Sequence, residues 1–258
     1  MKCLYAQRQM PELCTWPLPP PALALRNEDV HVWRSSLDVS PRDLRDLRQI
    51  LAPDEVARAR RFHFRVDEQR WVVARATLRI LLARYIYVDA SNVRFCVSQA
   101  GRARNGVLSG KPALASACGG DWLRFNMSHS DGVALYAVAR GREIGIDLER
   151  TVPDPTHQMI AARFFSPREV EELRSRWNID GGRAFFAYWT RKEAYAKATG
   201  ESLMSSNERR SEISSAHAAA AGAAEWVVRD LYAGPGFAAA LVTERRVSRL
   251  HAWEWPRM

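Results

Sequence analysis

Ile144-Gly145-Ile146-Asp147-Leu148-Glu149 is the stretch on which the reading of this chain turns. Its apolar residues alternate with two carboxylates, the pattern of a buried β-strand with one chemically active face. Side chains at i and i+2 of a strand share a face, so Asp147 and Glu149 project together while Ile146 and Leu148 pack behind them. Two carboxylates aimed at one point repel each other, and a hard divalent cation bound through oxygen relieves that repulsion. Magnesium is the natural candidate. The competing reading is a strand end whose acids face water or pair with Arg150.

Downstream, Trp189-Thr190-Arg191-Lys192-Glu193-Ala194-Tyr195-Ala196-Lys197 has helical periodicity. The i, i+4, i+8 spacing puts Trp189, Glu193 and Lys197 on one face. A third acid and a lysine are thereby available, although Glu193 and Lys197 also suit an ordinary surface ion pair.

These two segments, with Phe164-Phe165-Ser166-Pro167-Arg168-Glu169 between them, resemble the signature of the Sfp-type 4′-phosphopantetheinyl transferases. The three motifs stand in the family's order and spacing, and the resemblance spans residues 30 to 256. It implies an α+β fold, a pseudo-two-fold pair of α/β halves with the active site in the cleft between them. It also implies transfer of the phosphopantetheine arm of coenzyme A to a serine of an apo acyl- or peptidyl-carrier protein, with release of 3′,5′-ADP. Such a step serves fatty acid, polyketide or nonribosomal peptide biosynthesis.

The site residues follow from the same resemblance. Asp147, Glu149 and Glu193 would hold Mg2+, Lys197 would bind the phosphate and act in catalysis, and Glu193 is alternatively the general base. Phe125-Asn126-Met127-Ser128-His129-Ser130 resembles the family's F-N-x-S-H-S, whose serine and histidine (here Ser128 and His129) contact coenzyme A phosphates. Gly110-Lys111-Pro112 resembles its G-K-P, whose lysine (Lys111) contacts the nucleotide. Arg58 stands where a phosphate-binding basic residue is expected. Glu55 replaces a neighbouring basic position of the surfactin-synthetase activator, which makes Arg75 the expected substitute at the adenosine end.

Composition is compatible with this assignment. A formal charge of +9 over 258 residues suits an acidic or phosphate-rich partner, and acidic carrier proteins meet that description without invoking nucleic acid. A basic nucleic-acid-binding protein is the alternative, but no helix-turn-helix, zinc or aromatic RNP pattern appears. A Ser/His hydrolase is a weaker one: Ser128-His129-Ser130-Asp131 are adjacent and cannot wrap into a triad, and no G-x-S-x-G elbow is present. Cys3, Cys14, Cys96 and Cys118 form no C-x-x-C, and no apolar run reaches the roughly 20 residues a membrane helix needs. The expectation is a cytoplasmic monomer with reduced thiols and no membrane contact.

Along the chain, the prolines within residues 1–27 predict a tail. Residues 28–150 and 151–258 are the expected halves, joined by the proline-containing link Thr151 to Pro155. Val30 to Trp33 reads as a strand. Ser40-Pro41 opens a helix to about Leu51, and Pro53-Asp54 opens a second from Glu55 to Phe62. The helix from Val66 to Tyr87 buries Trp71, Ala74, Leu78, Leu81 and Tyr85, so Arg75 and Arg79 leave from its flanks, within reach of a phosphate. Gln99 to Gly110 is a loop. Gly132 to Ala139 and Ile144 to Glu149 read as a hairpin. Ser166-Pro167-Arg168-Glu169 is a capping box, making Glu169 a helix cap rather than a metal ligand. Arg183 to Thr199 is a helix stopped by Gly200, Ser202 to Ala224 departs from the family's glycine-rich loop and strand, and three strands, Trp226 to Leu231, Phe237 to Thr243 and Leu250 to Trp255, close the chain.

Overall fold

The computed structural model describes residues 16–97, 111–180, 182–200, 226–244, 247 and 249–256. The predicted loop at 99–110 and the segment 202–224 therefore lie outside the described residues. The chain opens with strand Asp29–Ser36 (β1) and helices Pro41–Ile50 (α1), Pro53–Ala59 (α2) and Arg65–Ile86 (α3). Strands Phe95–Val97 (β2), Pro112–Leu114 (β3), Leu123–Ser130 (β4), Val133–Arg140 (β5) and Ile144–Arg150 (β6) follow. Helices Thr156–Phe164 (α4), Pro167–Asp180 (α5) and Arg183–Thr199 (α6) lead to strands Trp226–Leu231 (β7), Phe237–Glu244 (β8) and Arg249–Glu254 (β9). The predicted caps form. Ser40 Oγ accepts from Asp43 N at 3.1 Å, and at the start of α5 Glu169 accepts from Ser166 N at 2.7 Å while Glu169 N donates to Ser166 Oγ at 3.3 Å.

Among the described residues two larger sheets, in the order β4-β5-β1-β9 and β6-β8-β7, stand beside a two-stranded pair of β2 with β3. Period-two alternation sorts their side chains into layers. On one face of the first sheet, Trp33 and Tyr136 pack with Leu78 and Leu81 of α3. On its other face, Val30, Val32, Leu135 and Ala137 pack against Ile144, Ile146, Leu148 and Leu241 of the second sheet. The outer face of the second sheet presents Ala240 and Val242 to Ala194, Tyr195 and Ala198 of α6. The result is the expected α+β architecture, with a long helix outside each sheet. Among the described residues no helix is long and apolar enough to cross a membrane.

The predicted hairpin of β5 with β6 is not formed. β6 pairs antiparallel with β8, placing Asp147 opposite Ala240 and Glu149 opposite Ala238. The reason lies in the apolar face of β6: Ile144, Ile146 and Leu148 are buried only if the strand lies over the first sheet instead of extending it. The chain's last strand crosses the other way, since β9 pairs parallel with β1 as an edge of the first sheet. The segment before β1 wraps the surface: Trp16 Nε1 donates to Tyr232 O at 2.8 Å, and Pro17 O accepts from Glu254 N at 2.9 Å.

Arg79 departs from its predicted place on an accessible flank, being 1 % exposed. It donates to Glu55 Oε2 at 2.6 Å and to the carbonyls of Ala90 and Val93 at 3.0 and 2.9 Å. Helical periodicity marks the apolar stripe of α3, but α2 and the turn before β2 cover one flank as well, and a buried guanidinium there needs a carboxylate. Glu55 supplies it. Burial pushes the Glu55 carboxyl up, but the Ala52 N–H and the guanidinium groups of Arg79 and Arg75 outweigh that and hold it below the ordinary value of 4.5. An unfolded chain then binds the proton first, so this stabilisation is present above the ordinary glutamate range and is lost as pH falls through the lowered native value. Glu55→Gln should destabilise the protein at neutral pH by about 3 kcal/mol, the cost of breaking a buried pair. Denaturant titrations at pH 7 and pH 3 should also find the gap to wild type narrowed in acid.

Candidate active site

Gly145, Asp147 and Glu149 point to the outer face of β6, away from the apolar side chains between the sheets and toward α6. Gly145 sets the separation. A Cβ at this position would lie 2.0 Å from Ala194 O and 2.5 Å from Ala198 N, so the backbone of α6 rests directly on the strand. That close approach carries Lys197, in the last turn of α6, onto Asp147: its Nζ lies 2.6 Å from Asp147 Oδ1 and 3.1 Å from Ser128 Oγ. α6 then stops where predicted, with Gly200 left-handed at φ 74°.

The third wall is β4. Asn126, Ser128 and Ser130 alternate along it and so share one face, turned toward the edge of β6. Asn126 Oδ1 accepts from Ile146 N at 3.0 Å and Ser130 Oγ from Arg150 N at 3.0 Å, so side chains of one sheet satisfy backbone donors on the free edge of the other. Between them, Ser128 Oγ donates to Asp147 Oδ1 at 2.9 Å, and Ser130 Oγ lies 3.4 Å from Glu149 Oε2.

Electrostatics fit a cation at this junction. Asp147 is 2 % exposed, and its Oδ2 is buried with no hydrogen-bond partner among the described residues. Burial and the neighbouring Asp147 charge raise the Glu149 carboxyl above its ordinary value; Lys197 and Ser130 oppose the shift, and half-buried Glu193 adds to it. A buried orphan oxygen beside a carboxylate held against its own ionisation is the donor set that a hard divalent ion satisfies. His129 turns an exposed edge to solvent. Loss of water around the ring and then the Lys197 charge lower its pKa, against a raising influence from Asp67.

The structure thus joins Ser128, Asp147 and Lys197 directly, with Glu149 reached through Ser130 and with Glu193 and His129 coupled to the group by charge. It gives Lys111 and Arg75 other partners than a phosphate. Lys111 Nζ donates to Glu143 Oε2 at 2.6 Å, Ile144 O at 3.0 Å and Ala198 O at 3.4 Å, and its side chain is 9 % exposed. Three acceptors match the three protons of an ammonium, so this lysine ties β3, β6 and α6 together. Arg75 donates to Glu55 Oε1 and stacks 3.8 Å over the Phe95 ring. Arg58 stays exposed, 5.8 Å over the ring of Trp71. Lys111→Met should therefore lower the melting temperature by several degrees while changing KM for a nucleotide substrate less than about threefold. A tenfold rise in KM at unchanged stability would return the lysine to the phosphate.

Three contributors escaped the reading of the sequence: Asn126 and Ser130, whose alternation with Ser128 was the available signal, and Lys192. The last is buried with Glu169, Nζ to Oε2 3.0 Å, and fixes α6 to the start of α5. Glu169 is a cap, as predicted, and an ion-pair partner as well.

Comparison with known proteins places these elements in context. A family model described as the 4′-phosphopantetheinyl transferase superfamily matches residues 143–232, from the residue before β6 through the whole of β7. The chain is 42 % identical over 189 residues to the 4′-phosphopantetheinyl transferase HetI of Nostoc sp., covering 73 % of this chain and 76 % of that protein. It is 28 % identical to the 4′-phosphopantetheinyl transferase Sfp of Bacillus subtilis over 59 % of this chain and 62 % of that one. A human relative, L-aminoadipate-semialdehyde dehydrogenase-phosphopantetheinyl transferase, is 27 % identical over 59 % of this chain and 49 % of its own length.

Proposed function

Because the chain belongs to the 4′-phosphopantetheinyl transferase superfamily, we propose that it moves the phosphopantetheine arm of coenzyme A onto a serine of an apo acyl- or peptidyl-carrier protein, releasing 3′,5′-ADP. The observation that carries this reading is the junction of Ser128, Asp147 and Lys197, with Asp147 Oδ2 buried at its centre and without a hydrogen-bond partner among the described residues. Asp147, Glu149 and Glu193 would hold Mg2+, which when bound supplies positive charge against the pyrophosphate of the substrate.

The chain's own side chains do the rest. Lys197 sits between Asp147 and Ser128, positioned to neutralise charge that grows on the leaving phosphate of 3′,5′-ADP as the pyrophosphate P–O bond breaks. Ser128 and His129 hold the substrate's phosphates, and Arg58, exposed at the end of α2, meets the adenosine 3′-phosphate. Lys111 and Arg75 support that surface from beneath through Glu143 and Glu55. Glu193, half-buried and electrostatically coupled to Glu149, is the group available to accept the serine proton if it is not itself bound to the ion. The net charge of +9 favours encounter with an acidic carrier domain.

Chromatographic detection of 3′,5′-ADP tests the reaction. Its release should require coenzyme A, Mg2+ and an apo carrier protein together, and a carrier whose target serine is replaced by alanine should give none. Release without a carrier protein would mean hydrolysis and would overturn the assignment.

A further inference from the structure

A second cluster of potential ligands lies on the opposite side of the first sheet. Asp29 and His31, two apart on β1, share the face that packs on α3, and the parallel register sets His31 beside His251 of β9. One donor atom from each of Asp29, His31 and His251 lies within 4.8 Å of the other two. We propose that Asp29, His31 and His251 form a binding site for a transition-metal ion of the zinc type that fastens the edge strand β9 to β1.

Donor chemistry distinguishes this site from the cleft. Two imidazoles and one carboxylate select a borderline ion such as Zn2+, whereas the all-oxygen set at Asp147 and Glu149 suits Mg2+. The geometry is close to what the ion requires. His251 Nε2 and Asp29 Oδ2 are 4.0 Å apart, against about 3.3 Å between ligands of a tetrahedral centre with bonds of about 2.0–2.1 Å. Loading therefore requires the three side chains, whose donor atoms lie within 4.8 Å of one another, to draw together around the ion.

Three further observations point to an ion. Asp29 is 4 % exposed, yet the described residues offer its carboxylate only one long hydrogen bond, from Arg26 N at 3.4 Å, and the imidazole of His251 at the limit of an ion pair. A buried carboxylate so poorly supplied calls for a cation. His31 Nδ1 lies 2.7 Å from Tyr85 Oη, which also accepts from Trp33 Nε1 at 3.1 Å. This leaves His31 Nε2 for a ligand and fixes the ring from behind, the usual support of a metal-binding histidine. The side chain of His251 is 37 % exposed and its ring stacks on Trp253, so the site has an entry and space for water as the remaining ligand.

The test uses the full chain, stripped of metal and held in excess Mg2+ to occupy the cleft. It is titrated with Zn2+ by calorimetry and with Co2+ by visible absorption. Wild type should bind one equivalent of Zn2+ with micromolar or tighter affinity, melt higher when loaded, and give the intense visible bands of four-coordinate Co2+. His251→Ala, at a partly exposed position, should weaken binding at least about tenfold and lose the Co2+ bands, while Asp147→Ala keeps both. Circular dichroism of His251→Ala verifies its fold. Absence of zinc binding in wild type, equal binding in His251→Ala, or loss of the bands in Asp147→Ala instead would overturn the proposal.

Discussion

Asp147→Ala should lower the rate of carrier-protein modification by about a thousandfold, a loss of about 4 kcal/mol of transition-state stabilisation. The variant should nonetheless fold and melt within a few degrees of wild type. The expectation rests on position: Asp147 is buried at the meeting point of β4, β6 and α6, accepts from Ser128 and Lys197 through one oxygen, and has no partner for the other among the described residues. Alanine removes both oxygens while the apolar packing of β6, which faces the other way, stays intact. Raising Mg2+ should not restore the rate, because the missing ligand lowers both affinity for the ion and its orientation. Steady-state kinetics of the variant across a magnesium titration, alongside a melting curve, check this. Wild-type turnover at any magnesium concentration would remove Asp147 from the site.

Gly145→Ala should be nearly as damaging, by a different route. The added methyl carbon would overlap Ala194 O and Ala198 N of α6, neither of which belongs to a side chain that can swing away. The helix must lift from β6, at an overpacking cost of about 3 kcal/mol. Because Lys197 reaches Asp147 only through that contact, activity should fall by at least about a hundredfold even at temperatures where the variant remains folded. Kinetics measured well below the variant's melting temperature separate the two effects. A destabilised but fully active Gly145→Ala enzyme would show that the seat of α6 is not what aligns Lys197.

How far the sequence could be read depended on whether the relevant signal was local. Strand alternation put Asp147 and Glu149 on one face and helical spacing put Glu193 and Lys197 on one face, but that Lys197 meets Asp147 was implied by the family resemblance and appears as a contact only in the folded chain. Ser40, the Ser166 to Glu169 box and Gly200 marked helix ends that the structure reproduces, because caps are properties of four or five consecutive residues. The partner of β6 was not local. Alternation says which face is buried and nothing about which strand lies alongside, so the nearer β5 was expected where β8 is found. Arg79 failed for the same reason: its own helix does not record that α2 lays Glu55 beside it. Asn126 and Ser130 were legible as a polar face, but their use as substitutes for a neighbouring strand's backbone appears only once the edges of two sheets meet.

The central claim is that this junction of β4, β6 and α6 transfers a phosphopantetheine arm. Intact-mass spectrometry of an apo carrier protein, incubated with this protein, coenzyme A and Mg2+, addresses it most directly. The carrier should gain the mass of one phosphopantetheine arm on its target serine, and should gain nothing with EDTA or with Asp147→Ala. An unchanged carrier mass with wild-type protein across a panel of acyl- and peptidyl-carrier domains, or an equal gain in EDTA, would contradict the account.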